Sequence, residues 1–207
     1  DVEITELGED RQRIHISFDN LIFDGWSMFH ILNEWTEIYK TGCADKEIDL
    51  SFRDYVLGLE EIKRSSSYET DKKYWEERAD NFSPAPNFPL AKTEKQITEQ
   101  RFCRRSDRLS PEEWKTLKEL AGEIGVTPSV LLISAYAETI RLWSDNKNFT
   151  LNLTQFDRKQ IHPEVNVLVG DFTTLTLLEI HDNEGENFEM RARAIQKQLS
   201  KDMEHSS

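Results

Sequence analysis

Basic residues are in short supply in this sequence: 26 Lys and Arg stand against 39 Asp and Glu, leaving a formal net charge of −13 over 207 residues. Phosphate backbones are held by clustered Lys and Arg, so this balance argues against nucleic acid as a partner. Long apolar runs are missing too. No stretch approaches the roughly 20 apolar residues that a membrane-crossing helix needs, and the amino terminus lacks the basic and apolar regions of a signal peptide. No membrane partner is therefore expected. Cysteine is limited to Cys43 and Cys103. Two cysteines so far apart fit a reduced, cytoplasmic protein with free, buried thiols better than a disulfide framework. There is no Gly-rich phosphate loop and no His-Glu-x-x-His, and His30 and His162 lack ligand spacing with either cysteine, so no metal site is expected. The chain opens on Asp1 rather than Met, directly in a strand-like stretch, and reads as a segment of something longer.

What is present is a mixture of strand and helix signals on a length that suits one or two domains with a real core. Ile14, Ile16 and Phe18 alternate with His15, Ser17 and Asp19, the period of a half-buried strand, which puts Asp19 on the less apolar face. Trp26, Phe29 and Tyr39 then recur at helical spacing, so a helix begins near Asp24, which is placed to cap it. Helices are predicted over 52–64 and 68–78. Pro84, Pro86 and Pro89 exclude regular helix between 81 and 89 and mark a crossing between subdomains. A strand is predicted over 100–109. Ser110-Pro111-Glu112-Glu113 is a capping box with Pro at the first helical position, and Thr127-Pro128-Ser129 opens another helix that runs to Trp143. A turn at Asp145–Asn148 leads into a strand over 149–158, with Phe149, Leu151 and Leu153 on one face and Thr150, Asn152 and Thr154 on the other. Leu175, Leu177 and Leu178 continue a second strand. Phe188, Ala192, Ile195, Leu199 and Met203 form the apolar stripe of a final helix.

Chemistry concentrates where the first strand gives way to the first helix. Asp19, Asp24 and Ser27 place two carboxylates and a hydroxyl there, and a carboxylate shielded from water can transfer protons because desolvation raises its pKa. Each has a plainer reading. Asp24 can cap the helix or pair with an Arg, Asp19 can be solvated on a strand face, and Ser27 in the first helical turn can bond backbone, with no His standing in sequence where it would obviously activate it. Further along, Asn152 and Thr154 either line a channel or bond a neighbouring strand, Asp171 after Gly170 can shape a turn, and Arg158 is read as an ion-pair partner.

The pattern Asp19-x-x-x-x-Asp24-x-x-Ser27 resembles the signature of heterocyclization domains of non-ribosomal peptide synthetases, a branch of the condensation-domain family. Condensation domains carry His-His-x-x-x-Asp-Gly at this position. Here Asp19 and Asn20 stand in place of the histidines, while Asp24 and Gly25 match. The block from Phe149 through Arg158, with His162-Pro163-Glu164-Val165 and Gly170-Asp171-Phe172-Thr173-Thr174, is similar to the later motif of the same domains. Thr174 stands where Ser is frequent.

The resemblance implies an α/β fold, an α+β sandwich of the chloramphenicol-acetyltransferase-like kind, with parts of two subdomains. Residues 1–80 would belong to the N-terminal one, 81–99 to the Pro-containing crossing, and 100–207 to the start of the C-terminal one. It implies amide formation on carrier-bound Cys, Ser or Thr followed by cyclodehydration to a thiazoline or oxazoline. No cofactor would be bound directly, since substrates ride on the phosphopantetheine of carrier proteins. The partners would be peptidyl carrier protein domains and the adenylation domain of the same synthetase. Catalytic roles would fall to Asp19, Asp24, Asn152 and Thr154, with Ser27, Arg158, Asp171 and Thr173 lining a substrate tunnel or building its walls. The polar pair usually assigned to dehydration lies further toward the carboxyl terminus, so the segment alone is expected to be inactive. Plain amide condensation and a non-catalytic carrier-docking module are the alternatives.

Overall fold

The computed structural model describes all residues except Asp45, Lys46, Gln100, Glu184 and Ser207, together with the backbone but not the side chain of Glu94. The elements run β1 (Val2–Gly8), β2 (Arg11–Ile16), α1 (Gly25–Thr41), α2 (Phe52–Ile62), α3 (Ser66–Ala79), α4 (Pro111–Glu123), α5 (Pro128–Trp143), β3 (Phe149–Phe156), β4 (Thr173–Ile180) and α6 (Phe188–Glu204). β1 and β2 pair antiparallel, β3 pairs with β4, and the chain packs as two compact units, residues 1–69 with 154–175 and residues 70–153 with 176–207.

Local chemistry explains most helix ends. The Asp24 carboxylate accepts the Ser27 amide and starts α1, which stops at Gly42 in the left-handed region at φ 70°. Capping boxes of Ser51 with Asp54 and of Ser110 with Glu113 open α2 and α4, and Thr127 and Asn187 cap α5 and α6.

In the first unit, Tyr55, Val165, Leu168 and Phe172 form a small core with Leu50 and Leu59 at its margin. The second unit holds the larger core. Val130, Leu131, Ala137 and Ile140 of α5 pack with Phe149 and Leu151 of β3, Leu178 and Ile180 of β4, and Ala192 and Ile195 of α6. The alternation expected for β3 is present: Phe149 and Leu151 are buried, while Asn152 and Thr154 are exposed. A polar cluster fastens α3 to α6 and β4. Arg78 pairs with Asp202 and, at 3.1 Å, with Glu179; the Tyr74 hydroxyl donates to Asp202 at 2.6 Å. Burial and the Asp202 charge push the Tyr74 phenol above its ordinary value.

Residues 83–87, within the Pro-containing stretch, are bonded along the start of β3. Thr150 donates from its amide to the Pro84 carbonyl at 3.0 Å and from its hydroxyl to the Ser83 carbonyl at 2.7 Å. The Asn87 amide donates to Ser144 Oγ at 3.0 Å and to Asn146 Oδ1 at 2.8 Å.

Three expectations fail. The first strand stops at Ile16, short of Asp19, and the hairpin is not half-buried: Ile4 is 60% and Ile14 50% exposed. Alternation marks a face, but two strands alone supply no layer to cover it. Residues 101–109 form no strand; they have no partner strand and leave Phe102 exposed, while Gln100 lies outside the described residues. Cys43 and Cys103 are free, as expected, but exposed rather than buried, because both sit in irregular segments.

Candidate functional site

Asp24, Ser27 and Arg158 meet in the first unit, although Arg158 lies 134 residues beyond Asp24 in the chain. Each is at most 8% exposed. Capping places Asp24 at the mouth of α1 and brings Ser27 one turn along, beneath the Gly170–Phe172 segment. Both carboxylate oxygens of Asp24 are used: Oδ1 accepts the Ser27 amide at 2.7 Å, and Oδ2 accepts the Phe172 amide at 3.2 Å. The Asp24 amide donates in turn to the Gly170 carbonyl at 3.1 Å. Ser27 Oγ donates to the Gly170 carbonyl at 2.9 Å and accepts the Gly170 amide at 3.1 Å.

Arg158 closes the arrangement. Its Nη2 lies 3.3 Å from Asp24 Oδ1 and donates to Ser27 Oγ at 2.8 Å; its Nη1 donates to the Val165 and Leu168 carbonyls at 2.8 and 2.7 Å. The guanidinium lies over the Phe172 ring, 3.7 Å from its centroid. One cation thus holds an acid, a hydroxyl, two carbonyls and an aromatic face, so segment 165–172 is pinned to the start of α1. Burial alone would raise the Asp24 pKa. The Ser27 amide and hydroxyl, the Phe172 amide and the Arg158 charge outweigh it and hold the carboxyl below its ordinary value. Burial draws Arg158 down while Asp24 opposes it, and the guanidinium stays cationic at any ordinary pH.

The other expected site residues are placed differently. Asp19 is exposed, its Oδ1 accepting the Leu21 amide at 2.9 Å, and it borders an open groove of about 660 Å³ with Ile16, Phe18, Ile22 and Phe23. Asp171 and Thr173 are exposed, with Asp171 Oδ1 accepting the Thr173 amide at 2.9 Å. Asp171 therefore stands between two residues, Gly170 and Phe172, whose amides are both anchored. Asn152 belongs to the second unit and Thr154 to the first. Among the described residues no three His, Cys, Asp or Glu side chains converge as metal ligands.

Three contributors were not singled out from sequence. Tyr55 reaches from α2 to accept the Lys159 amide at 3.0 Å and donate to the Asp157 carbonyl at 3.3 Å, bracketing Arg158. Phe172 packs edge-on against Tyr55 and Phe52. Gly170 lies so close to Phe52 that a Cβ there would overlap the ring. The Gly-Asp-Phe sequence carries a signal for the last of these, since Gly is the residue that tolerates such an approach.

The condensation-domain family model matches residues 1–207, the whole chain. The chain belongs to the condensation-domain family. This condensation-family chain is 34% identical over 201 residues to bacitracin synthase 1 of Bacillus licheniformis, covering 96% of the chain and 4% of that protein. It is also 34% identical over 201 residues to pyochelin synthetase PchF of Pseudomonas aeruginosa, with coverages of 96% and 11%. Among solved structures it is similar to the EpoB cyclization-docking bidomain of a non-ribosomal peptide synthetase from Sorangium cellulosum, at 35% identity and a TM-score of 0.89 over 99% of this chain and 42% of that one. The fold is accordingly the chloramphenicol-acetyltransferase-like one, with mixed helix and strand. The chain spans small fractions of the curated relatives that it matches.

Proposed function

We propose that this chain is part of a heterocyclization domain in a cytoplasmic non-ribosomal peptide synthetase. The observation that carries the reading is the Asp19-x-x-x-x-Asp24-x-x-Ser27 pattern, which has Asp-Asn where an amide-forming condensation domain has a His pair. The likeness to the EpoB cyclization-docking bidomain, which extends over 99% of the chain, supports it. In the full protein, the amine of a carrier-bound Cys, Ser or Thr attacks an upstream acyl thioester, forming the amide and releasing the upstream carrier thiol. The side-chain thiol or hydroxyl then attacks the new carbonyl, and loss of that oxygen as water leaves a thiazoline or oxazoline. The substrates arrive on phosphopantetheine arms, and carrier and adenylation domains are the partners.

Roles divide by exposure. Asp24, with Ser27 and Arg158, acts as a positioning residue: its oxygens are committed and its carboxyl is held ionised, which suits a fixed anchor better than a proton donor. Asp19, Asn152 and Thr154 are exposed and free to meet substrate, and Asp171 and Thr173 extend from the pinned segment to line its path. Full-length protein supplied with a carrier-bound donor and carrier-bound cysteine should release a product one water short of the open amide. Recovery of the open amide alone would refute heterocyclization and leave plain condensation. Loss of turnover on replacing Asp19, or of ring closure on replacing Asn152, would separate an enzyme from a non-catalytic docking module.

A further inference from the structure

The Pro-containing stretch does something to β3 that neither its composition nor the motif assigns. Thr150 stands on the polar face of β3, two residues before Asn152, so the two side chains project from the same side of the strand. Unlike Asn152, Thr150 is tied at both backbone and side chain to consecutive carbonyls, those of Pro84 and Ser83. Those carbonyls are themselves held. The Ser83 amide donates to Glu179 Oε1 at 3.3 Å, and Glu179 is clamped by Arg78 at 3.1 Å. At the other end, Asn87 is fixed to Ser144 and Asn146, and its carbonyl accepts the Asp145 amide at 3.0 Å. Proline suits the segment because it presents carbonyls without amides of its own at Pro84 and Pro86. All of these residues lie in the second unit.

We infer that residues 83–87 are a positioning strap for the polar face of β3, and that Thr150 is the positioning residue through which the strap sets the pitch of Asn152. This rests on the reading of Asn152 as a residue that meets substrate during ring closure. A strand held at Thr150 by two hydrogen bonds cannot roll about its axis without breaking them, and roll is the motion that would swing Asn152 away from a reacting carbonyl. Misplacement by about 1 Å can cost up to roughly a hundredfold in rate. Amide formation, which needs the two thioesters brought together, does not depend on that roll. The expected consequence is a changed partition between ring and open amide rather than a uniform loss.

Three variants of the full-length synthetase test this, with ring and open amide measured in the same reaction. Thr150→Val should lower the ring-to-amide ratio about tenfold, Thr150→Ser should restore it, and Asn152→Ala should lower it at least as far. A parent-like ratio in T150V alongside a lowered ratio in N152A overturns the strap and leaves the Asn152 assignment standing. A parent-like ratio in N152A overturns both. Failure of T150S to rescue, with amide formation intact, also overturns the strap, because a merely structural methyl contact is then the cause. If T150V makes no open amide at all, Pro84→Gly, which slackens the strap while leaving every residue of β3 unaltered, takes its place: a lowered ratio supports the strap and a parent-like ratio overturns it.

Discussion

Replacing Arg158 with Met should loosen the first unit selectively. Met keeps much of the aliphatic volume against Phe172 but removes every hydrogen bond of the guanidinium. The Val165 and Leu168 carbonyls, Ser27 Oγ and Asp24 Oδ1 then each lose a donor. Leaving a buried polar group unsatisfied costs about 1–3 kcal/mol, and breaking a buried ion pair by removing one partner costs about 3–5 kcal/mol. These losses share atoms and do not add, so about 3–5 kcal/mol is the working figure, a large share of the roughly 5–15 kcal/mol that holds an ordinary domain together. The assay is urea denaturation of parent and variant, together with amide hydrogen exchange read at Gly170 and Phe172, whose amides are held by Ser27 and Asp24. Both amides should lose protection while those of α5 keep theirs. A variant within about 1 kcal/mol of the parent, with Gly170 and Phe172 still protected, would refute the account of the guanidinium as the pin of this segment.

Acid should act through Asp24. Its folded pKa lies below the ordinary carboxylate value, so its contribution is complete above that ordinary value and is lost as the pH falls through the lower folded one. Asp24→Asn should flatten the acid limb of a stability-against-pH curve; an unchanged limb would contradict the assignment. Gly170→Ala drives a methyl into the Phe52 ring and should destabilise by about 1–3 kcal/mol, and most of that cost should vanish when the same change is made on a Phe52→Ala background, as a thermal-melt cycle would reveal. Phe149→Ala in the fully buried start of β3 should cost about 3–5 kcal/mol in denaturant titration, and a loss below about 1 kcal/mol would mean that this core is not as tight as its burial indicates.

Local signals were legible and tertiary ones less so. The caps at Asp24, Ser110 and Thr127 could be read because a cap is settled within four residues, and the two faces of β3 because alternation is a property of one strand. Asp24 paired with an Arg, and Arg158 as an ion-pair partner, followed from residue chemistry, although no spacing rule links positions 134 residues apart. What could not be read was close approach. The Ser27 hydroxyl serves both backbone groups of Gly170, 143 residues away, and nothing near either residue encodes that meeting. The hairpin misled for the same reason. Ile4 and Ile14 announce an apolar face without stating what, if anything, lies over it.

A general acid must hold its proton near the working pH and give it up to the substrate, so it needs a carboxyl that is neither saturated with donors nor fixed in the ionised form. Asp24 fails on both counts, since two amides and a guanidinium already occupy it. The same donors make it an effective anchor: by holding Phe172, while Ser27 holds Gly170, they fix the backbone on both sides of Asp171 and leave that side chain exposed. On the proposed reading of Asp171 as lining the substrate path, a side chain carried on a backbone clamped at both neighbours loses little entropy on meeting substrate. The separation has a measurable consequence. On the proposed reading, Asp171→Asn should leave urea stability within about 0.5 kcal/mol of the parent yet lower product formation by the full-length protein, whereas Asp24→Asn should lower both together. A stable Asp24→Asn protein that had lost only turnover would place the chemistry at the anchor instead.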